Sequence, residues 1–214
     1  MAAEADDRSI RYQIIPEEAI SPELDRQLVV YLSEIFPEWR DVFAERRAWH
    51  DAPPVWTTLA TEKTTQDKST LPAIVGHVGV VERTISTCWN WRYRVASFQG
   101  VSVAPAFRRL GIGRKLLDLS LREAKRRNYP FAILFCKEPM VPYYTSLGWK
   151  LPEDSMIMWR DRKLPIPMRS NCPMYRQLEE LTFPEGPIDV HNPLPTNEPV
   201  LKVWLPPVFL ARLD

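Results

Sequence analysis

Between Phe98 and Ala124 the chain passes from an alternating apolar run into a short Arg- and Gly-rich loop, then directly into helical spacing. No other stretch constrains the fold as strongly. The apolar run, Phe98 to Val103, ends at Pro105. The loop follows as Arg108-Arg109-Leu110-Gly111-Ile112-Gly113-Arg114. Leu116, Leu117, Leu119, Leu121 and Ala124 then recur at helical intervals. A strand feeding a glycine loop that opens a helix leaves backbone N–H groups free at the helix N-terminus, where the helix dipole favours negative charge. Glycine lets a ligand approach the backbone closely, and arginine adds charge-assisted contacts. An ordinary strand–turn–helix with a glycine turn would read similarly from these residues alone.

The spacing excludes the common phosphate loops. There is no G-x-x-x-x-G-K-S/T, and no G-x-G-x-x-G followed about 20 residues later by an acid. What stands is Arg108-x-x-Gly111-x-Gly113, preceded by Val101-x-Val103-x-Pro105. This resembles the pyrophosphate loop of the GNAT superfamily of N-acetyltransferases, R/Q-x-x-G-x-G/A, and the end of that family's fourth strand. Tyr144-Thr145-Ser146-Leu147-Gly148-Trp149 resembles the family's Y-x-x-x-G-F/W segment after the fifth strand. The resemblance is specific from Phe98 to Trp149 and looser over the remainder of 10–178.

With 214 residues the chain has room for one well-buried domain. The formal net charge is +1, and no basic tract argues for nucleic acid as a partner. No apolar run approaches the roughly 18 residues of a membrane span. The N-terminal MAAEADDRSIRYQ is polar and acidic, unlike a signal peptide. Cys88, Cys136 and Cys172 form no metal spacing and suit reduced thiols, so a cytoplasmic protein without metal is expected. Twenty-one prolines, dense after Leu151, point to loops and edge strands rather than a second domain. The expected organisation is a single domain over 1–214, with a core over 9–178 and a Pro-rich extension over 179–214 that closes the acceptor site.

Coarse patterning predicts strands at Ile10–Ile15, Val55–Thr61, Ala73–Ile85, Arg92–Val103, Phe131–Phe135, Met156–Arg160, Met174–Leu178 and Val200–Leu205. Helices are predicted at Pro22–Ile35, Glu38–Trp49, Gly111–Arg127 and Val141–Leu147. Ser21-Pro22-Glu23 reads as a helix start and Gly148 as a helix stop. The order β–α–α–β–β–β–α–β–α–β is similar to the GNAT fold. That resemblance implies an α/β (α+β) architecture: a mixed, mostly antiparallel central sheet flanked by helices. Its fourth and fifth strands splay apart to admit the cofactor's pantetheine arm.

The resemblance also implies a chemistry: transfer of acetyl from acetyl-CoA to an amine. Backbone amides at Val101, Ser102 and Val103 would hold the coenzyme and its acetyl group. Arg108, Arg109, Leu110, Gly111, Ile112, Gly113 and Arg114 would hold the pyrophosphate. Tyr144, a phenol with an ordinary pKa near 10, would protonate the departing thiolate. Tyr143 would pack or line the acceptor site. The aminoglycoside 2′-N-acetyltransferases are the most similar in layout, sharing G-V-x-V, Y-x-S-x-G-W and a late segment over the acceptor. In them an acid two residues before the first valine of G-V-x-V is the candidate base. Here that position is Gln99, and an amide orients a water or an amine but takes no proton.

Glu138, just after the fifth strand, is the best-placed substitute, although it also suits the N-terminus of the next helix. Glu82, Glu185, Asp189 and His77 are the other candidates; Glu82 would face solvent on many sheets, and His77 suits a satisfied sheet histidine. For the acceptor, Glu185 and Asp189 in the turn-rich Phe183–His191 would bind a cationic amine or sugar, or else form a surface turn. Trp39 and Asp41, with Glu38, Asp51 and Trp56, would wall the other side. The expected partner is a small-molecule amine, best an aminoglycoside with antibiotic resistance as the consequence, and neither nucleic acid nor membrane. A homodimer through the Trp89-Asn90-Trp91 hairpin or the Pro-rich C-terminal strands is a further expectation.

Overall fold

The computed structural model describes residues 10–45, 47, 54–62, 72–87, 91–161, 164–165 and 171–191, of which 45, 157–161 and 164–165 are described by their backbone alone. Among the described residues nine strands form the sheet: β1 (Ile10–Pro16), β2 (Trp56–Glu62), β3 (Ile74–Thr87), β4 (Arg92–Val103), β5 (Phe131–Lys137), β6 (Met156–Asp161), β7 (Leu164–Pro165), β8 (Asn171–Gln177) and β9 (Ile188–His191). The α-helices among the described residues are α1 (Pro22–Ile35), α2 (Arg40–Glu45), α3 (Ile112–Arg126) and α4 (Val141–Ser146).

The sheet is mixed and mostly antiparallel. Its order runs β7–β6–β9–β3–β4–β5–β8, with β2 and then β1 beside the first part of β3, and the β4–β5 pair is parallel. Parallel neighbours need a crossover, and α3 supplies it. β2 pairs with the first part of β3, from Ile74 to Val80, while β9 pairs with Thr84–Thr87 on the same strand.

Local sequence explains the helices. Ser21 accepts a hydrogen bond from the Leu24 N–H, a proline opens α1, and Glu23 and Asp25 sit in its first turn. α1 buries Leu28, Tyr31 and Leu32 with Phe43, Leu59 and Ile74 on one face of the sheet. α3 buries Ile112, Leu116, Leu117, Leu121 and Ala124 against Val78, Val80, Ala96 and Phe98 on the other. Each fully buried leucine there contributes about 2 kcal/mol. Gly76 allows that approach, since a Cβ on it would lie 2.7 Å from Leu116 Cδ1. A third cluster, Ile85, Val95, Phe131, Ile133, Phe183, Ile188 and Val190, closes the far end of the sheet.

Two expectations need correction. The predicted helix Glu38–Trp49 is a 3-10 turn at Pro37–Trp39 followed by the shorter α2, with Arg46 and Trp49 outside the described residues. The turn-rich Phe183–His191 contains β9, so the sheet extends past residue 178. Pro184, Gly186 and Pro187 mask a strand whose inward residues, Ile188 and Val190, carry the alternation. The predicted strand Val200–Leu205 and the Trp89-Asn90 tip lie outside the described residues.

Candidate functional site

β4 and β5 pair only through Ala96↔Ala132, Ser97↔Ile133 and Phe98↔Leu134. Both strands continue beyond, to Val103 and Lys137, without pairing to each other. A wedge therefore opens from Phe98 toward the α3 N-terminus. Along this wedge β4 also bulges. Its register against β3 steps from Gly79↔Gln99 to His77↔Ser102, so β4 carries one extra residue, and Gly100 sits there at φ +59°. That left-handed conformation suits glycine and disfavours a side chain. The unpaired residues of the bulge are Gly100 and Val101, and beyond them Ser102 and Val103 return to register with His77 and Gly76.

The loop lies at the open end. Gly111 is the N-cap of α3 at φ +76°, no side chain caps the helix, and its first turn holds no acid. The amides of that turn thus keep their positive end toward solvent. Arg108, Arg109, Leu110, Gly111 and Arg114 are exposed, while Ile112 is buried as an anchor. Arg109 adopts φ +66°, and Arg108 Nε donates to the Val103 carbonyl at 3.1 Å, tying the loop to the strand end. A Cβ on Gly113 would lie 3.0 Å from Tyr143 Oη. Tyr143 therefore reaches the helix N-terminus, a placement sequence reasoning missed because adjacent tyrosines carry no directional signal.

Tyr144 points the other way, into the core. It is 6 % exposed and packs edge-on against Trp149 at 6.2 Å, which in turn meets Phe98 at 5.4 Å. Phe98 is the last β4 residue paired to β5, so this aromatic chain places Tyr144 over the vertex of the wedge. Burial, with smaller contributions from Cys136 and Tyr143, pushes its phenol upward, so it stays protonated at neutral pH. Burial also raises Tyr143, with Asp118 adding and Arg114 opposing.

Beneath α1, on the opposite face, lies a polar group of residues. His77 is 1 % exposed, and its Nδ1 donates to the Gly100 carbonyl at 2.8 Å. That bond leaves Nε2 as the acceptor nitrogen, buried and without a partner among the described residues. Burial lowers the His77 pKa to about 4; the Gly100 bond opposes this shift and Arg47 reinforces it. Gln99 shares this face with Gly79, and its Nε2 is likewise buried and has no partner among the described residues. Ser102 Oγ bonds the Gly100 carbonyl at 3.1 Å and Tyr31 Oη at 3.4 Å.

The remaining candidates fall in several places. Glu138 is exposed, immediately after β5, beside Lys137, which lies 3.9 Å from Glu38. That contact brings the Pro37–Trp39 turn to the end of β5. Trp39, 43 % exposed, and Asp41, also exposed, thus stand on the wedge side of the molecule. Glu82 is engaged elsewhere, with Arg94 at 2.6 Å and the Tyr129 hydroxyl at 2.7 Å. Trp56 is fully buried on the α3 face with Arg127 over its ring, so it walls no acceptor site; Asp51 lies outside the described residues. Glu185 and Asp189 are not brought to the wedge. Asp189 pairs opposite Ser86, nine residues along β3 from His77, which is roughly 30 Å at 3.3 Å per residue. Among the described residues no group of three or more His, Cys, Asp and Glu could hold a metal ion.

A family model described as an acetyltransferase (GNAT) domain matches residues 38–151, more than half of the chain. The chain belongs to the GNAT acetyltransferase family. Solved structures agree in fold. The GNAT family N-acetyltransferase YhbS of Escherichia coli, crystallised in complex with CoA, superposes with a TM-score of 0.59 at 15% identity, over 86% of this chain and 92% of that one. ElaA of Escherichia coli gives 0.53 at 14% identity, over 79% and 100%. An acyl-CoA N-acyltransferase of Pseudomonas aeruginosa gives 0.52 at 13% identity, over 78% and 99%. No curated protein matches the sequence significantly. The bulged β4, the wedge and the Arg108–Gly113 loop all fall within the matched GNAT region.

Proposed function

We propose that this chain is an acetyl-CoA-dependent N-acetyltransferase in which a small cationic amine attacks the thioester directly. One observation carries the reading: an uncapped α3 N-terminus flanked by exposed Arg108, Arg109 and Arg114 opens onto the wedge between β4 and β5. Three cations and free helix amides fit a pyrophosphate, and the bare Gly111 backbone, with no atom within 4 Å of where a Cβ would stand, leaves room for it. The gap between β4 and β5 beyond Phe98 is where a pantetheine arm would thread.

At the bulge and just past it, backbone N–H groups of Val101 and Val103 polarise the acetyl carbonyl as negative charge develops on it. Holding thioester and amine together lowers the entropic part of the barrier. Tyr144, over the vertex of the wedge, gives its proton to the departing thiolate. Gln99 orients the amine or a water. Glu138, exposed where β5 ends, takes the ammonium proton through solvent. Trp39 and Asp41 form the acceptor wall, stacking on an apolar ring face and pairing with an ammonium group.

The proposed acceptor is an aminoglycoside-like amino sugar, supported by the Gly100-Val101-Ser102-Val103 and Tyr144-x-Ser146-x-Gly148-Trp149 wording together with that Trp–acid wall. A polyamine, an amino acid or a protein N-terminus is the alternative amine. The amide at Gln99 favours a second reading, a non-catalytic acyl-CoA-binding module. Free-thiol release from acetyl-CoA across a panel of aminoglycosides, polyamines, amino acids and peptides tests all three. Rapid release with an aminoglycoside is the expected result. Release with another class reassigns the acceptor, and coenzyme binding without release on any amine favours the module.

A further inference from the structure

We propose that Cys136 and Cys172 form a redox modification site, a cross-strand dithiol that closes reversibly to a disulfide and ties the free end of β5 to β8. The two residues are direct partners in the antiparallel β5–β8 ladder. Direct partners stand about 4.5–5.5 Å apart at Cα, inside the window of about 4.4–6.8 Å that a disulfide spans. Their side chains share one face of the sheet, since both pack on the same apolar cluster. Both are free thiols in the structure. Cys136 Sγ rests 3.8 Å from Met174 Sδ, a soft contact that closure would exchange for a covalent one.

Their surroundings assign the order of events. Cys172 is half-buried and is the thiol that reagents reach; Cys136 is buried. Burial and the neighbouring Cys172 raise the Cys136 thiol to about 11, so at neutral pH it rests protonated. With a low-molecular-weight disulfide as oxidant, the Cys172 thiolate attacks one sulfur and expels the first thiolate. Cys136 then attacks the Cys172 sulfur of the mixed disulfide and expels the second. Two protein thiols are oxidised, one reagent disulfide is reduced to two thiols, and the two protein protons pass to them.

The position gives the bond a consequence. Beyond Leu134, β5 has lost its pairing with β4, and among the described strands β8 is the one that pairs with Phe135–Lys137. Tyr144 sits within electrostatic reach of Cys136. Closure would therefore fix one wall of the wedge next to that phenol.

Treating the folded protein with oxidised glutathione, alkylating remaining thiols under denaturing conditions and mapping peptides tests this. The expected product is one linked pair, Cys136 with Cys172, leaving one of the three cysteines alkylated and returning to three after dithiothreitol. Cys88→Ser should retain the link and Cys172→Ser should abolish it. Closure should also raise Tm by several degrees, because a 36-residue separation is constrained in the unfolded chain. Three results would overturn the proposal: glutathione retained on Cys172 without closure, linkage through Cys88, or three free thiols under conditions that oxidise the unfolded chain.

Discussion

Gly100→Ala is the sharpest probe of the bulge. Gly100 sits at φ +59°, where a side chain costs about 1–2 kcal/mol. The new Cβ would also lie 2.9 Å from His77 Cε1 and 3.0 Å from His77 Nδ1, closer than packed atoms tolerate. The imidazole must move, and its 2.8 Å bond to the Gly100 carbonyl is lost or stretched, adding about 1 kcal/mol. The expected destabilisation is about 2–3 kcal/mol, read as a shift in urea midpoint at unchanged slope. The two contributions separate in a double-mutant cycle with His77→Ala. Without the ring, Gly100→Ala should cost only its backbone strain, leaving a coupling of about 1 kcal/mol. Thioester turnover should fall about 100-fold, because an ångström of displacement at a reacting centre costs that much. Wild-type stability in Gly100→Ala, or the same cost with and without His77, would refute the reasoning.

The buried His77 makes stability depend on pH. Its folded pKa, about 4, lies below the unfolded value near 6.5. The unfolded chain therefore binds the extra proton first as pH falls. This contribution is intact above about pH 6.5, declines through the window and is gone below about pH 4, up to about 3 kcal/mol in all. His77→Gln should flatten that part of the stability profile; an unchanged slope in chemical denaturation between pH 7 and 4 would remove His77 as its source. Tyr144→Phe should lower turnover about 100-fold with coenzyme affinity within about twofold, and a rate equal to wild type would take Tyr144 out of the reaction. Gly113→Val should abolish coenzyme binding by calorimetry, since its side chain would meet Tyr143 Oη and cover the helix amides; undiminished affinity would show that the anion sits elsewhere.

The strand–loop–helix unit was legible because its determinants are local. Alternation, a left-handed glycine and helical leucines lie within thirty residues, and each acts on its neighbours. The first helix was equally legible from Ser21 and Pro22. Long-range pairing was not. β9 is four residues long, follows a Pro-Glu-Gly-Pro turn, and becomes a strand only because β2 leaves half of β3 uncovered. Glu185 and Asp189 consequently read as pocket acids from their turn-rich segment, whereas Asp189 pairs with Ser86 toward the other end of the sheet. The bulge at Gly100 was also hidden. A glycine inside a strand pattern signals a bulge or a close approach, but only the register against β3 shows where the extra residue falls.

The division of β3 between two partners has a consequence for how the molecule is made. β2 precedes β3 closely in the chain, but the strand that covers Thr84–Thr87 arrives roughly a hundred residues later, the kind of distant pairing that slows folding. As the polypeptide leaves the ribosome, the second half of β3 offers an unpaired edge while β4, α3 and β5 are already available to dock. Such an edge is a template for another nascent chain. Four residues, Ile188 to His191, act as the closing stitch. A chain shortened before them would keep its loop and wedge yet carry a sticky margin, and its yield in soluble form should suffer before its chemistry does.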